Sequence, residues 1–432
     1  MDGIDEANEV VASHEIEITQ EAVNLWNRDF VLLTIGQIIS IFGNMIITFA
    51  LPLYILYISN SPALFGVVLG LSNIPMLIMS PIGGIVADRF RKQRVMFWLD
   101  AVTTIIIVVY IALSGFIIAV VPVIIVKLMA LNAIQGMYMP AVQASVPVLV
   151  PGGKIVTANA VVTLINSFSN MAGMAAAGIL FANFGLMPIL VVSAICFAIT
   201  ALMDLIIRIP FKKQDSTGGM IKIVKSDMLQ AAKFMFREKP AIARCAVISF
   251  MFSLTLVSMI IVGIPVLITQ HLNMTMEYVG ISQSIMMAGG LAGGLLSGAI
   301  GNKLEITKAY LILIASGLAI IPIGLAFIFD VPIFTIYIII TAACALVFII
   351  VMPVNILIIS FIQTETPIEL TGKVMSLLMV MPFLANALGQ LFYGVVFEWF
   401  EAIPWLVVFV TVILTVLVGW YARKTFVKTN DI

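Results

Sequence analysis

The segments NMAGMAAAGILFANF (residues 170–184) and NALGQLFYGVVFEWF (residues 386–400) carry the same amino acid at five positions, each pair separated by 216 residues. Two other pairs keep nearly the same spacing, 214 and 213 residues: Gly84 with Gly298, and Met139-Pro140 with Met352-Pro353. Near-constant offsets along a chain indicate an internal duplication whose two copies run in parallel. The sequence therefore predicts two like halves.

Composition indicates that these halves lie in lipid. The chain has 432 residues, of which 62% are hydrophobic and 10% charged, whereas soluble globular proteins carry about 25% charged residues. A helix needs about 20 apolar residues to cross a bilayer, and such runs occur at residues 30–57, 64–87, 95–115, 121–147, 155–182, 187–208, 241–270, 277–300, 308–329, 332–361, 373–397 and 402–421. We predict an all-α membrane protein with twelve transmembrane helices in two six-helix bundles.

The basic residues predict the orientation of the spans. Lys and Arg are concentrated on the cytoplasmic side of membrane proteins. When the twelve spans alternate in direction, 21 of the 22 Lys and Arg residues fall on one side, and the exception is Lys127 inside span 4. We therefore expect a multi-pass protein of the cell (plasma) membrane with both chain ends in the cytoplasm.

This topology divides the chain into four segments. They are an acidic cytoplasmic tail at residues 1–28, an N-terminal bundle at 29–209, a cytoplasmic linker at 210–240 and a C-terminal bundle at 241–432. The tail lacks the basic start and apolar middle of a signal peptide. In the linker, apolar residues from Ile221 onward recur at helical spacing with lysines between them. This pattern predicts an amphipathic helix on the membrane surface, or a plain connecting helix.

Several functional classes receive no support from the sequence. The net charge is zero, which gives no reason to expect a nucleic-acid partner. Two histidines and three widely spaced cysteines do not form a metal-binding pattern. The chain has no phosphate-binding G-x-x-x-x-G-K-[ST] motif for ATP hydrolysis and no nucleophile–His–acid set. We therefore expect no cofactor and no enzymatic activity, and transport driven by an ion gradient.

The segment after span 2, Gly84-Ile-Val-Ala-Asp88-Arg89-Phe90-Arg91-Lys92-Gln93-Arg94, resembles the signature of the major facilitator superfamily. In that family this signature forms a charge network that latches the two bundles when the cytoplasmic side is shut. The resemblance implies the same role for Asp88, Arg89, Arg91, Lys92 and Arg94, and Gly84 is expected to permit close helix packing. The alternative is that these charges only mark topology. The second copy carries Asn302 in place of the aspartate, so its latch should be weaker.

Other stretches resemble the macrolide-efflux and related drug-exporter branch of this superfamily. They are Asn27-Arg28-Asp29-Phe30 with Gly36-Gln37, Pro140-Ala141, Leu149-Val150-Pro151, Ala158-Asn159 and Gly372-Lys373-Val374. Two antiporter signatures of the family are present in altered form, with Asn132 where arginine is usual and Met174 where proline is usual. The missing arginine leaves the proton-handling step without its usual residue.

Few ionisable residues lie at membrane depth, where such groups are often functional. Asp100 in span 3 and Asp204 in span 6 lie toward the cytoplasmic end, whereas Glu277, Asp330, Glu398 and Glu401 lie toward the outside. Asp100 is our candidate for a proton relay, and the alternative is an ion pair with the basic loop. Lys127 either faces the cavity or extends to the outer surface.

The spans expected to line a central cavity offer mostly neutral polar groups. The candidate lining residues are Gln37, Asn44, Lys127, Asn132, Gln135, Tyr138 and Asn355. The chain also has 25 methionines, whose adaptable side chains suit bulky lipophilic ligands. We therefore predict a monomeric exporter of lipophilic drugs or natural products, working by alternating access with H⁺ as the coupling ion. The alternatives are an exporter or flippase of an endogenous lipid, siderophore or peptide, and a receptor or scaffold that does not transport.

Overall fold

Twelve helices of the described chain are long and apolar enough to cross a membrane, which confirms the predicted number of spans. The computed structural model describes residues 25–116, 118–150, 154–210, 228–300, 306–329 and 331–427. Most of the predicted acidic tail, residues 211–227 of the linker, and Asn302 lie outside the described residues.

The N-terminal half consists of α1 (Arg28–Ser59), α2 (Pro62–Arg89), α3 (Lys92–Leu113), α4 (Val120–Leu149), α5 (Ile155–Phe184) and α6 (Leu186–Ile206). Polar side chains at the start of α1 and α2 supply the first hydrogen bonds of each helix. Asn27 accepts from the Phe30 amide at 2.8 Å, and Ser61 accepts from the Leu64 amide at 3.1 Å. The Asn27 side chain also donates to the carbonyl of Leu149 at 2.6 Å, which fixes the start of α1 against the end of α4.

The C-terminal half consists of α7 (Pro240–His271), α8 (Met276–Ile300), α9 (Ala309–Ile328), α10 (Ile333–Glu365), α11 (Ile368–Trp399) and α12 (Pro404–Val427). Two of these helices are less regular than the predicted continuous spans. α7 contains π turns at Ser253–Val257 and Leu267–His271. α9 is interrupted between Ala309–Leu318 and Ile321–Ile328, where Pro322 cannot donate a backbone hydrogen bond.

The two halves repeat their glycine contacts. A methyl group added at Gly178 of α5 would lie 2.8 Å from Cα of Gly280 in α8, and one added at Gly394 of α11 would lie 2.9 Å from Cα of Gly66 in α2. The residues of these two contacts correspond through offsets of 216 and 214 residues. Only glycine allows backbones to approach this closely. The packing therefore shows the same two-fold relationship that the sequence offsets predict.

One predicted glycine contact is wrong. The sequence predicts that Gly84 lets another helix approach closely, but a methyl group added there would have no heavy atom within 4 Å. Its neighbour Gly83 makes the contact instead, because a methyl group there would lie 2.6 Å from Cα of Met137 in α4. One residue changes the direction of a side chain by about 100° around a helix, so Gly84 faces away from α4.

The outer surface of the helices is apolar. Trp98, Leu202, Leu295 and Ile413 are each more than half exposed. Contiguous exposed apolar surface of this kind is expected where a protein contacts lipid. The structure is therefore that of a multi-pass membrane protein.

The described end of the linker is attached to the C-terminal half. Residues 228–233 are helical and continue into a π turn at Phe234–Glu238. Phe234 and Met235 are buried in the same apolar cluster as residues of α7 and α10. Lys239 forms an ion pair of 2.7 Å with Glu365 at the end of α10.

Candidate functional site

The interface between the two halves is held together near one end of the helices. We call the end at which α1 is connected to α2 the Asn60 end, and the end at which α2 is connected to α3 the Arg91 end. At the Asn60 end, Glu398 of α11 accepts hydrogen bonds from the Ser61 hydroxyl at 2.5 Å and the Ala63 amide at 3.0 Å. The Gln270 amide donates to Asn60 at 3.2 Å.

Further contacts between the halves extend to the middle of the helices. The Ser284 hydroxyl of α8 donates to the carbonyl of Met171 in α5 at 2.8 Å. Asn73 of α2 donates to Gln390 of α11 at 3.4 Å. Together with the glycine contacts, the described hydrogen bonds between the halves lie between the Asn60 end and the middle of the helices.

The predicted lining residues separate into two groups. Asn44 and Gln135 are half-buried, Asn355 is exposed, and half-buried Asn132 donates to the carbonyl of Ser72 at 2.8 Å, which ties α4 to α2. In contrast, Gln37, Lys127 and Tyr138 are only 0%, 4% and 2% exposed. The structure places these three side chains inside the N-terminal half, rather than along an open wall between the halves.

A cluster of buried polar side chains occupies the N-terminal half toward its Arg91 end. Asp100 of α3 and Asp204 of α6 are each 2% exposed, and their carboxylates are close enough to interact electrostatically. Tyr138 of α4 interacts with both carboxylates and contacts the Ser40 hydroxyl of α1, while Thr200 of α6 contacts Asp100. We call these five residues the carboxylate cluster.

The carboxylate cluster is not neutralised by a basic side chain. One oxygen of Asp100 and one of Asp204 are buried without a hydrogen-bond partner. Among the described residues, no ion pair joins either carboxylate to Lys or Arg, so the alternative that Asp100 pairs with the basic loop is not what the structure shows. Two like charges in an apolar interior are costly unless a proton or another cation neutralises them.

Lys127 occupies a different part of the same half. Its ammonium nitrogen lies 3.8 Å from the centre of the Tyr110 ring and has no hydrogen-bond partner. The side chain is 4% exposed, so it neither reaches the outer surface nor faces an open cavity. Both sequence-based alternatives for Lys127 are therefore wrong in this conformation.

The predicted charge network lies at the Arg91 end. Arg89 is in the last turn of α2, Arg91 immediately precedes α3, and Lys92 and Arg94 lie in the first turn of α3. The side chain of Asp88 lies outside the described residues. The role of this network as a latch stays a prediction.

Comparison with known families agrees with the fold and the glycine contacts. Residues 33–390 match the model of the Major Facilitator Superfamily, which is most of the chain. The chain belongs to the major facilitator superfamily. It is therefore a member of a family of membrane transporters.

Relatives and solved structures differ in what they carry. The chain is 23% identical over 291 residues to Macrolide efflux protein A of Streptococcus pyogenes, covering 65% of this chain and 69% of that protein. It is 26% identical to the uncharacterized MFS-type transporter YfiS of Bacillus subtilis strain 168, covering 76% of both chains. The crystal structure of the nucleoside transporter NupG superposes with a TM-score of 0.72 at 15% identity, over 93% of this chain and 99% of that one. A D-xylose–proton symporter superposes with a TM-score of 0.70 at 13% identity, over 91% of this chain and 96% of that one.

Asp100 is a candidate from the sequence, whereas its pairing with Asp204 emerges only from the structure. The pairing depends on the packing of α3 against α6, which hydropathy alone does not show. A usable signal is present in the sequence, because Asp100 and Asp204 are the only acidic residues within predicted spans 3 and 6.

Proposed function

We propose that this transporter exports lipophilic small molecules, such as drugs or natural products, from the cell in exchange for protons. The observation that carries the proposal is the pair of two-fold-related glycine contacts, Gly178 with Gly280 and Gly394 with Gly66, near the Asn60 end. Equivalent contacts in two like halves form a pivot about which the halves tilt, and a substrate site between them then opens to each side in turn.

The chemistry of the substrate follows from the neutral character of the exposed groups and from a relative. Asn355 and Met352 on α10 and Met251 on α7 are exposed, and none carries a charge. Thioethers with scattered hydrogen-bonding groups suit bulky amphipathic ligands. The similarity to a macrolide efflux protein supports export of this class of compound.

Coupling to protons is supported by the carboxylate cluster. Asp100, the predicted relay residue, is buried beside a second carboxylate instead of a basic partner. Moving one charge across 100 mV is worth about 2.3 kcal/mol. A buried carboxylate that takes up and releases a proton would give the tilt of the halves access to this energy.

The proposal is tested by measuring the accumulation of a fluorescent dye and of a macrolide in expressing cells, with and without an uncoupler. We expect lower accumulation in expressing cells and loss of the difference when the uncoupler is added. The same difference should be reduced by Gly280→Ala, which places a methyl group 2.9 Å from Cα of Gly178. Gly294→Ala on the same helix is the matched control, because a methyl group there would have nothing within 4 Å. Equal accumulation in expressing and non-expressing cells for every lipophilic probe would contradict export of this class.

A further inference from the structure

The N-terminal half contains a buried polar site that the movement of a lipophilic substrate between the halves does not require. Asp100 and Asp204 come from α3 and α6, Tyr138 from α4 and Ser40 from α1, so the site is built within a single half. Lys127 cannot neutralise it, because Lys127 and Tyr138 are eleven positions apart on α4, a distance of about 16 Å along a helix.

Two hydrogen bonds set the register of α1 against α6. The Ser193 hydroxyl donates to the carbonyl of Gly43 at 2.9 Å, and the Arg208 amide donates to Asp29 at 3.0 Å. Because the two helices are antiparallel, Asp204 and Thr200 lie level with the turn of α1 from residue 33 to residue 37. This turn therefore lies beside the carboxylate cluster.

The same turn of α1 supplies polar atoms that have no partner. Both the oxygen and the nitrogen of the Gln37 amide are buried without a hydrogen bond, and Gln37 is 0% exposed. The hydroxyl of Thr34, 6% exposed, is also without a partner. Buried polar groups are nearly always hydrogen-bonded, so a set of unpartnered oxygens around two carboxylates indicates a missing ligand.

The missing ligand must be small and positively charged. Two carboxylates require a cation for neutralisation, and amide and hydroxyl oxygens are ligands that hard cations prefer. A proton satisfies the site when one carboxyl group donates it to the other carboxylate. A sodium ion satisfies it through oxygens of the two carboxylates, Gln37 and Thr200.

We propose that Asp100 and Asp204, together with Gln37, bind the monovalent coupling cation, H⁺ or Na⁺, at a site separate from the substrate. The cation is released to water at the Arg91 end when the halves tilt, and no bond other than the O–H or ion–oxygen contact changes. This inference rests on the proposed function and adds Asp204 as the second carboxylate of the site. It also implies that substrate and cation are coupled through the tilt, rather than by competition for one site.

The C-terminal half provides an internal comparison. The offsets of the duplication place the counterparts of Asp100 within residues 313–316 and those of Asp204 within residues 417–420. Neither stretch contains an acidic residue. The cation site is therefore a property of the N-terminal half alone.

The first test separates coupling from substrate movement in vesicles that contain the purified full-length protein. Accumulation of a dye against its gradient is driven by an imposed pH gradient in one arm and by a sodium gradient in the other. A driving force of about 100 mV supports roughly 50-fold accumulation for each cation exchanged. We expect Asp100→Asn and Asp204→Asn to abolish this accumulation, while exchange of labelled for unlabelled dye without a gradient continues. Glu365→Gln, which removes a carboxylate from the exposed pair with Lys239, should leave both readouts unchanged.

The second test measures cation binding without any substrate. Infrared difference spectra recorded across a pH titration should show a buried carboxylic-acid band that is lost in Asp100→Asn and in Asp204→Asn, or radioactive sodium should bind to the wild type and not to these variants. Gln37→Leu, an uncharged change at the rim of the site, should shift the midpoint of either titration while the protein remains monodisperse. Failure of every dye to move while the band or the sodium binding is present would contradict the proposed substrate class only. Undiminished gradient-driven accumulation in both Asn variants, or titrations identical to the wild type, would overturn the cation site.

Discussion

In the N-terminal half the buried side chains include Asp100, Lys127 and Asp204, whereas the buried polar side chains described in the C-terminal half are Ser, Thr and Gln residues. The glycine contacts, by contrast, are duplicated between the halves almost atom for atom. A duplicated gene product has thus kept the contacts that govern tilting in both copies and has kept buried charge in one. Tilting and energy coupling are therefore separable, because they depend on different residues.

The largest stability effect should come from removing the buried lysine. Lys127→Met replaces an ammonium group that has only the Tyr110 ring as partner. Apolar replacement of poorly compensated buried charge is often neutral to stabilising by about 1–4 kcal/mol. We therefore expect a higher unfolding temperature of the detergent-solubilised protein.

The C-terminal half offers a matched control for this change. Lys424 also lies over an aromatic ring, 3.7 Å from the centre of Trp420, but it is exposed. Lys424→Met should leave the unfolding temperature nearly unchanged, because an exposed ammonium group keeps its water. A lower unfolding temperature for Lys127→Met than for Lys424→Met would show that Lys127 has a partner that stabilises it.

The next effect tests whether the two halves are equivalent in packing. Gly178→Ala and Gly394→Ala each place a methyl group less than 3 Å from the facing backbone. Overpacking of this kind costs about 1–3 kcal/mol, so both variants should shift the population of the transporter away from closure at the Asn60 end. Distances between spin labels across this end should increase by the same amount in each variant. A large effect in one and none in the other would break the proposed two-fold equivalence.

A smaller effect should reveal where the two interfaces differ. Glu398 accepts hydrogen bonds from the Ser61 hydroxyl and the Ala63 amide at the start of α2, and the offset of 216 places Ala182 at its counterpart. A carboxylate at the N-terminus of a helix is worth about 0.3–1 kcal/mol. Glu398→Gln should therefore weaken closure between α2 and α11 while leaving the contact between α5 and α8 in place, measured by cross-linking of cysteine pairs on each side. Glu401→Gln, at a nearby exposed carboxylate, should change neither cross-linking yield.

The twelve spans and the duplication are predictable from the sequence because lipid imposes long apolar runs and because the glycine contacts survive in both copies. Which side chains meet inside a half is not predictable in this way. Asp204 joins Asp100 only through the packing of α3 against α6, and Lys127 fits neither expected position because the Tyr110 ring of α3 covers it. The contact made by Gly83 instead of Gly84 shows the same limit, since one residue changes the direction of a side chain but hardly alters a hydropathy pattern.

The smallest effect concerns the linker, which has no counterpart within either half. The ion pair of Lys239 with Glu365 attaches the linker to α10, and its side chains are 46% and 40% exposed. Exposed ion pairs contribute about 0–1 kcal/mol, so Lys239→Met should leave the unfolding temperature nearly equal to that of the wild type and should not change transport. The apolar anchors of the linker, Phe234 and Met235, are buried at 6% and 1% exposure and should matter more. If Lys239→Met uncoupled transport while Phe234→Ala did not, the attachment of the linker would depend on charge, and the linker would take part in the tilt of the halves instead of only joining them.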